Sequence, residues 1–144
     1  MAFSRALVLL TFVAAVVVFS NAQDQKPEVK HTPAPMTSAA SGKEMFMSYC
    51  ASCHGKDAKG DGPAASALSA KPADLTMLAK NNGGSYPSMK VMSVLRGQAN
   101  VGAHGNQEMP VWGPVLWRMS QGHESEMQQR IANLSKYIES LQMK

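Results

Sequence analysis

Cys50-Ala51-Ser52-Cys53-His54 decides how this chain is read. The two thiols stand three positions apart, so on a helix they fall within one turn, and an imidazole follows directly. Such a pair can add to the two vinyl groups of haem, while the adjacent imidazole lies under the iron as its proximal ligand. The order of the five residues is therefore a geometric requirement of covalent haem c attachment.

Other readings of the same letters ask for partners that the sequence lacks. A thioredoxin-type dithiol expects the motif to follow a strand inside a βαβ pattern, and none precedes Cys50. A structural zinc site needs a second knuckle, yet Cys50 and Cys53 are the only cysteines and there is no His-x₃₋₅-His pair. A plain disulfide leaves His54 without a reason.

Upstream of the motif, Ser41-Gly42-Lys43-Glu44 reads as a capping box, with Ser41 as N-cap and Glu44 reaching back to it. The helix that starts there carries Phe46, Cys50 and Cys53 at i, i+4 and i+7, which delivers both thiols to one face. Downstream, Gly55, Gly60, Gly62 and Pro63 mark a loop. Short helical turns fit 64–69 and 75–80, and Asn81-Asn82-Gly83-Gly84 stops the second. Ser88 is expected to cap a helix through Val91, Met92 and Leu95 that ends at Gly97.

The stretch 98–114 shows no usable periodicity and contains His104 and Met109; a structureless run of that length in a small domain is usually functional. Glu124 and Glu126 then open a last helix, where negative charge complements the dipole. Its stripe of Met127, Ile131, Leu134, Ile138 and Leu141 needs a packing partner, and the first helix is the natural one. No strand pattern emerges, so the expected fold class is all-α.

The N-terminus has its own logic. Arg5, an apolar run of fourteen residues from Ala6 to Phe19, and Ser20-Asn21-Ala22 match a signal peptide cleaved after residue 22. As a helix that run spans about 21 Å, short of the ~30 Å hydrocarbon core. The expectation is export to the periplasm, with an uncleaved membrane tether as the alternative. Residues 23–41, with Pro27, Pro33 and Pro35, read as a Pro-rich flexible linker in which His31 and Met36 are solvated. Residues 42–144 form the one domain.

Composition narrows the function. The domain carries eleven Lys and Arg against eight Asp and Glu, without a basic block interleaved with aromatics, so nucleic-acid binding is not indicated. Three of the four Phe residues lie in the N-terminal segment, which leaves a thin aromatic core that a buried porphyrin would complete.

Taken together, the Gly42…Phe46 start, the attachment motif, Gly60-Asp61-Gly62-Pro63, Lys71-Pro72-Ala73-Asp74-Leu75-Thr76, Met109-Pro110-Val111-Trp112-Gly113 and a terminal helix with Tyr137 resemble the class I c-type cytochromes, the small bacterial mono-haem type. The resemblance spans about 42–141. It implies a cytochrome c fold whose N- and C-terminal helices cross, with Gly42, Phe46 and Tyr137 near the crossing. It also implies Met109 as the sixth iron ligand and the Pro63 carbonyl as acceptor for the His54 Nδ1–H.

Met109 has independent support, because Pro110 biases it to extended backbone in a segment with no helix to hold its side chain elsewhere. The domain has nine methionines, however, and Met is a common core filler; Met92 and Met119 remain distant alternatives, and His104 a rival that would lower the potential. Arg96, Trp112 and Trp117 are candidates to hydrogen-bond a haem propionate.

The implied function is a periplasmic one-electron carrier, not an enzyme, that meets redox protein partners. Lysines 43, 56, 59, 71, 80 and 90 are candidates for an acidic partner's docking face. The alternatives are a tethered haem c subunit of a dehydrogenase or oxidase complex and a haem sensor or peroxidase-like enzyme, the last requiring an open sixth position.

Overall fold

The computed structural model describes residues 33–98 and 111–143. Among them the secondary structure is helical and without strands: α1 Gly42–Tyr49, α2 Ala51–His54, α3 Leu78–Asn81, α4 Ser88–Arg96, α5 Trp112–Met119 and α6 Glu124–Ser140, with 3-10 turns at Ala65–Ala67 and Leu75–Met77. The fold class is all-α, as expected. No helix among the described residues is long and apolar enough to cross a membrane.

α1 begins where its capping residue predicts. The Ser41 hydroxyl accepts the Glu44 N–H at 3.1 Å. The reciprocal half of the box differs: the Glu44 carboxylate takes the Ser38 N–H at 3.4 Å, because Ser41 N–H is already bonded to the Ser38 carbonyl at 3.2 Å.

α1 then crosses α6 at a point that tolerates no side chain. A Cβ on Gly42 would lie 2.1 Å from the Asn133 carbonyl oxygen and 2.8 Å from Tyr137 Cβ. One turn on, the Phe46 and Tyr137 rings meet with centroids 5.4 Å apart and planes tilted by 54°. Met45, Phe46 and Ile131 are fully buried there, with Leu134 and Ile138 beside them. The stripe read from α6 is the face that packs on α1, with Met127 and Leu141 at its half-buried ends.

α4 and α5 pack on the same helix from another side. α4 starts one residue earlier than its expected cap allows, with Pro87 at the N-cap position and Ser88 already helical. α5 lies partly inside the stretch read as irregular. Its Pro114 sits in the first turn, where a missing N–H costs nothing, so the residue that reads as a breaker is compatible with a helix start.

The end of the segment expected to be linker is held on the helices. The Tyr49 hydroxyl donates to the Pro35 carbonyl at 2.8 Å and pairs with Thr37 Oγ1 at 2.5 Å. Arg130, nearly fully buried, donates to the Thr37 carbonyl at 2.9 Å while Glu126 accepts from its Nη2 at 2.8 Å. Tyr49→Phe leaves the buried Thr37 hydroxyl without its acceptor and takes a donor from the Pro35 carbonyl. It should cost about 1–2 kcal/mol, seen as a lower urea midpoint at unchanged slope.

Candidate functional site

The attachment turn is made by a break between two helices. α1 ends at Cys50, and α2 restarts from it at once, with the Cys53 and His54 N–H groups both bonded to the Cys50 carbonyl at 3.1 and 2.8 Å. Cys50 and His54 are buried, Cys53 is half-exposed, and neither cysteine is in a disulfide. Burial, and secondarily the neighbouring Cys53, push the Cys50 thiol up to about 12, so it stands there neutral.

His54 is fixed through its ring nitrogen. Nδ1 lies 2.9 Å from the Ala73 carbonyl oxygen. A carbonyl only accepts, so Nδ1 carries the proton and Nε2 is the lone-pair nitrogen of the neutral ring. Burial lowers the His54 pKa, with the Ala73 bond acting in the opposite direction. The site therefore favours the neutral imidazole, the form that ligates a metal.

This corrects the acceptor expected from the resemblance, which was Pro63. The loop carrying Pro63 is tied to the carbonyl end of α2 by Gly62 N–H on Cys53 O at 3.0 Å and Ala64 N–H on Ser52 O at 2.9 Å. So tied, it leaves Pro63 exposed at the surface, and the acceptor comes from the later segment. That segment reaches His54 because Gly60, with φ +77°, has no side chain; a Cβ would lie 2.2 Å from the Pro72 carbonyl oxygen.

Cys50 and His54 open onto a cavity of about 290 Å³ whose other walls include Leu75, Leu78, Val91, Val94, Leu95, Trp112 and Ile138. Trp112 is held by stacking on Tyr49, with centroids 5.2 Å apart and planes at 29°. Lys90 is the one charged residue of the lining among the described residues. Cys53 sits on the same turn but does not line the cavity. Arg96 does not line it either: its Nη2 donates to Gln128, beside a separate shallow cleft that Trp117 also lines.

Met109 and His104 lie outside the described residues. Both flanks of the segment that carries them are described, and they press together. A Cβ on Gly113 would lie 2.3 Å from the Arg96 carbonyl, and one on Gly97 would lie 2.3 Å from Val111 Cγ1. The start of α5 is thereby locked against the end of α4, three residues beyond Met109, with Trp112 in the cavity wall.

Sequence reasoning missed the roles of Ala73, Leu75 and Leu78, although their segment was among the motifs. A usable signal was there: Asp74-Leu75-Thr76 is an Asx-turn sequence, which marks a held backbone.

The donor set fits haem c. An apolar cavity suits the faces of a porphyrin, and one helical turn brings to it a thiol and an imidazole in its ligating form. By contrast, no group of three or more His, Cys, Asp or Glu among the described residues is arranged to hold a metal ion directly.

Enclosed in helices of this order, the attachment turn belongs to a c-type cytochrome domain. The family model for cytochrome C oxidase, cbb3-type, subunit III, matches residues 37–121, more than half of the chain, and the chain belongs to that family. Comparison with curated proteins and with solved structures gave no match. Haem c, covalently bound, is the cofactor of such a domain, and Cys50 and Cys53 stand at its attachment spacing.

Proposed function

We propose that this chain is an exported one-electron carrier whose haem is held by Cys50 and Cys53 and ligated by His54 and Met109. The observation that carries the reading is the His54 ring, buried in the cavity wall with Nδ1 bonded to Ala73 at 2.9 Å. Haem c supplies the one-electron centre at its iron. The protein's part is to fix the imidazole, exclude water with apolar walls and set the potential. No carboxylate lines the cavity among the described residues, which favours a carrier over an enzyme that moves protons.

Met109 as second axial ligand is supported by the clamp between Gly113 and Arg96, which brings the segment's end to the cavity wall. Met109→Leu is expected to leave haem attached, open the sixth position to carbon monoxide and lower the reduction potential. An unchanged low-spin spectrum would show that another side chain is the ligand. Pyridine haemochrome analysis of the purified holoprotein, with spectra in both oxidation states, tests attachment itself.

The family favours a second reading, in which the same domain is a tethered subunit of an oxidase complex and the segment before residue 33 is its leash. Its redox partners would then be other subunits. Stable co-purification with an oxidase supports that reading, and a monomeric, freely reducible protein supports the carrier. The N-terminal segment serves either case, as a cleaved signal peptide or as an anchor. All six lysines considered for docking are exposed, which suits an acidic partner and an association rate that falls with salt.

A further inference from the structure

We propose that Asp74 is a positioning residue for the proximal imidazole, aiming the Ala73 carbonyl at His54; the inference rests on His54 being the iron ligand. Ala73 cannot aim itself. It is exposed, and it stands outside any helix. Its carbonyl oxygen nevertheless lies 2.9 Å from His54 Nδ1.

What holds it is the next residue. The Ala73 carbonyl shares a rigid peptide plane with the Asp74 nitrogen, so fixing the Asp74 backbone fixes the direction of the oxygen. Asp74, at φ −71° and ψ 105°, is the N-cap of the 3-10 turn Leu75–Met77. Its Oδ1 accepts both the Thr76 N–H at 2.9 Å and the Thr76 hydroxyl at 2.6 Å. Thr76 is itself buried.

Three further ties hold the residues that follow. Leu75 N–H donates to the Ala58 carbonyl at 2.8 Å, the Leu75 carbonyl accepts from Gln142 Nε2 at 2.7 Å, and the Thr76 carbonyl accepts from Met143 N–H at 3.0 Å. Of these holds, only the Asp74 carboxylate acts through a side chain next to the acceptor. A firmer Nδ1–H bond makes the imidazole a better electron donor and so stabilises the oxidised iron.

The test compares Asp74→Ala with Asp74→Asn as holoproteins. The Asn oxygen can accept both bonds from Thr76, so it restores the position without the charge. In the reduced protein, the His54 Nδ1–H proton should exchange with deuterium about fivefold faster in D74A, the effect of losing one cap, and as in wild type in D74N. The reduction potential should rise more in D74A than in D74N, the excess being the positional part. Equal exchange rates in the two variants, or equal potentials, would overturn the proposal in favour of a charge effect or none.

Should D74A yield no holoprotein, Thr76→Val removes only the hydroxyl donor. It should move exchange in the same direction by less, and no movement would overturn the proposal. Failure of the underlying reading looks different: His54→Ala would then keep a six-coordinate spectrum, whatever the Asp74 variants did.

Discussion

Gly42→Ala is expected to lower the thermal unfolding midpoint by roughly 10–15 °C, the equivalent of about 2–3 kcal/mol, while leaving the haem spectrum of the folded protein unchanged. The added methyl would sit 2.1 Å from the Asn133 carbonyl oxygen, and that obstacle is main chain inside α6. No rotamer change can relieve it. The helices must separate, and Phe46 and Ile131, both fully buried at the crossing, would lose contacts as they do. Alanine's better helix propensity offsets less than about 1 kcal/mol, so the clash decides the sign. Gly83→Asn is the control: nothing lies within 4 Å of the position, its φ is +67°, and Asn tolerates the left-handed region. A midpoint for Gly42→Ala within a degree or two of the control would show that the crossing is looser than this packing.

His54→Ala is expected to remove nearly all six-coordinate holoprotein. Mutating groups that merely orient a ligand typically weakens metal binding about 10–100-fold, and loss of the ligand itself should exceed the upper figure. The substitution deletes a buried ring from the cavity wall and strands the Ala73 carbonyl. It also leaves Cys50 and Cys53 in place, so any haem that attaches should be detected by mass but lack the low-spin spectrum. Wild-type yields of six-coordinate protein would refute His54 as proximal ligand.

The fold was legible where side chains alone carry the signal. Ser41 announces α1 through its hydroxyl, and the α6 stripe demands a partner that α1 supplies; the single helix expected to carry Phe46 and both thiols is instead broken at Cys50, and Cys53 stays off the cavity. Legibility failed where backbone carries it. The acceptor for His54 is a carbonyl, which every residue possesses, and the close packing of Gly60 on Pro72 that brings Ala73 to it in place of Pro63 is a backbone contact. α5 was hidden because Gly113 and Pro114 look like breakers, although the first makes a close approach to α4 and the second suits a first turn. Thr37 gave no hint of its burial, since its partner Arg130 lies ninety-three positions away.

The paired contacts of Gly97 with Val111 and of Gly113 with the Arg96 carbonyl set the ends of the intervening segment side by side on helices packed against α6. The entropy of closing that segment is therefore met by helix packing and grows only slowly with added length. A change of length between residues 97 and 111 should cost the scaffold little, on the order of 0.6 kcal/mol for a doubling of the segment, as long as the two glycine contacts are kept.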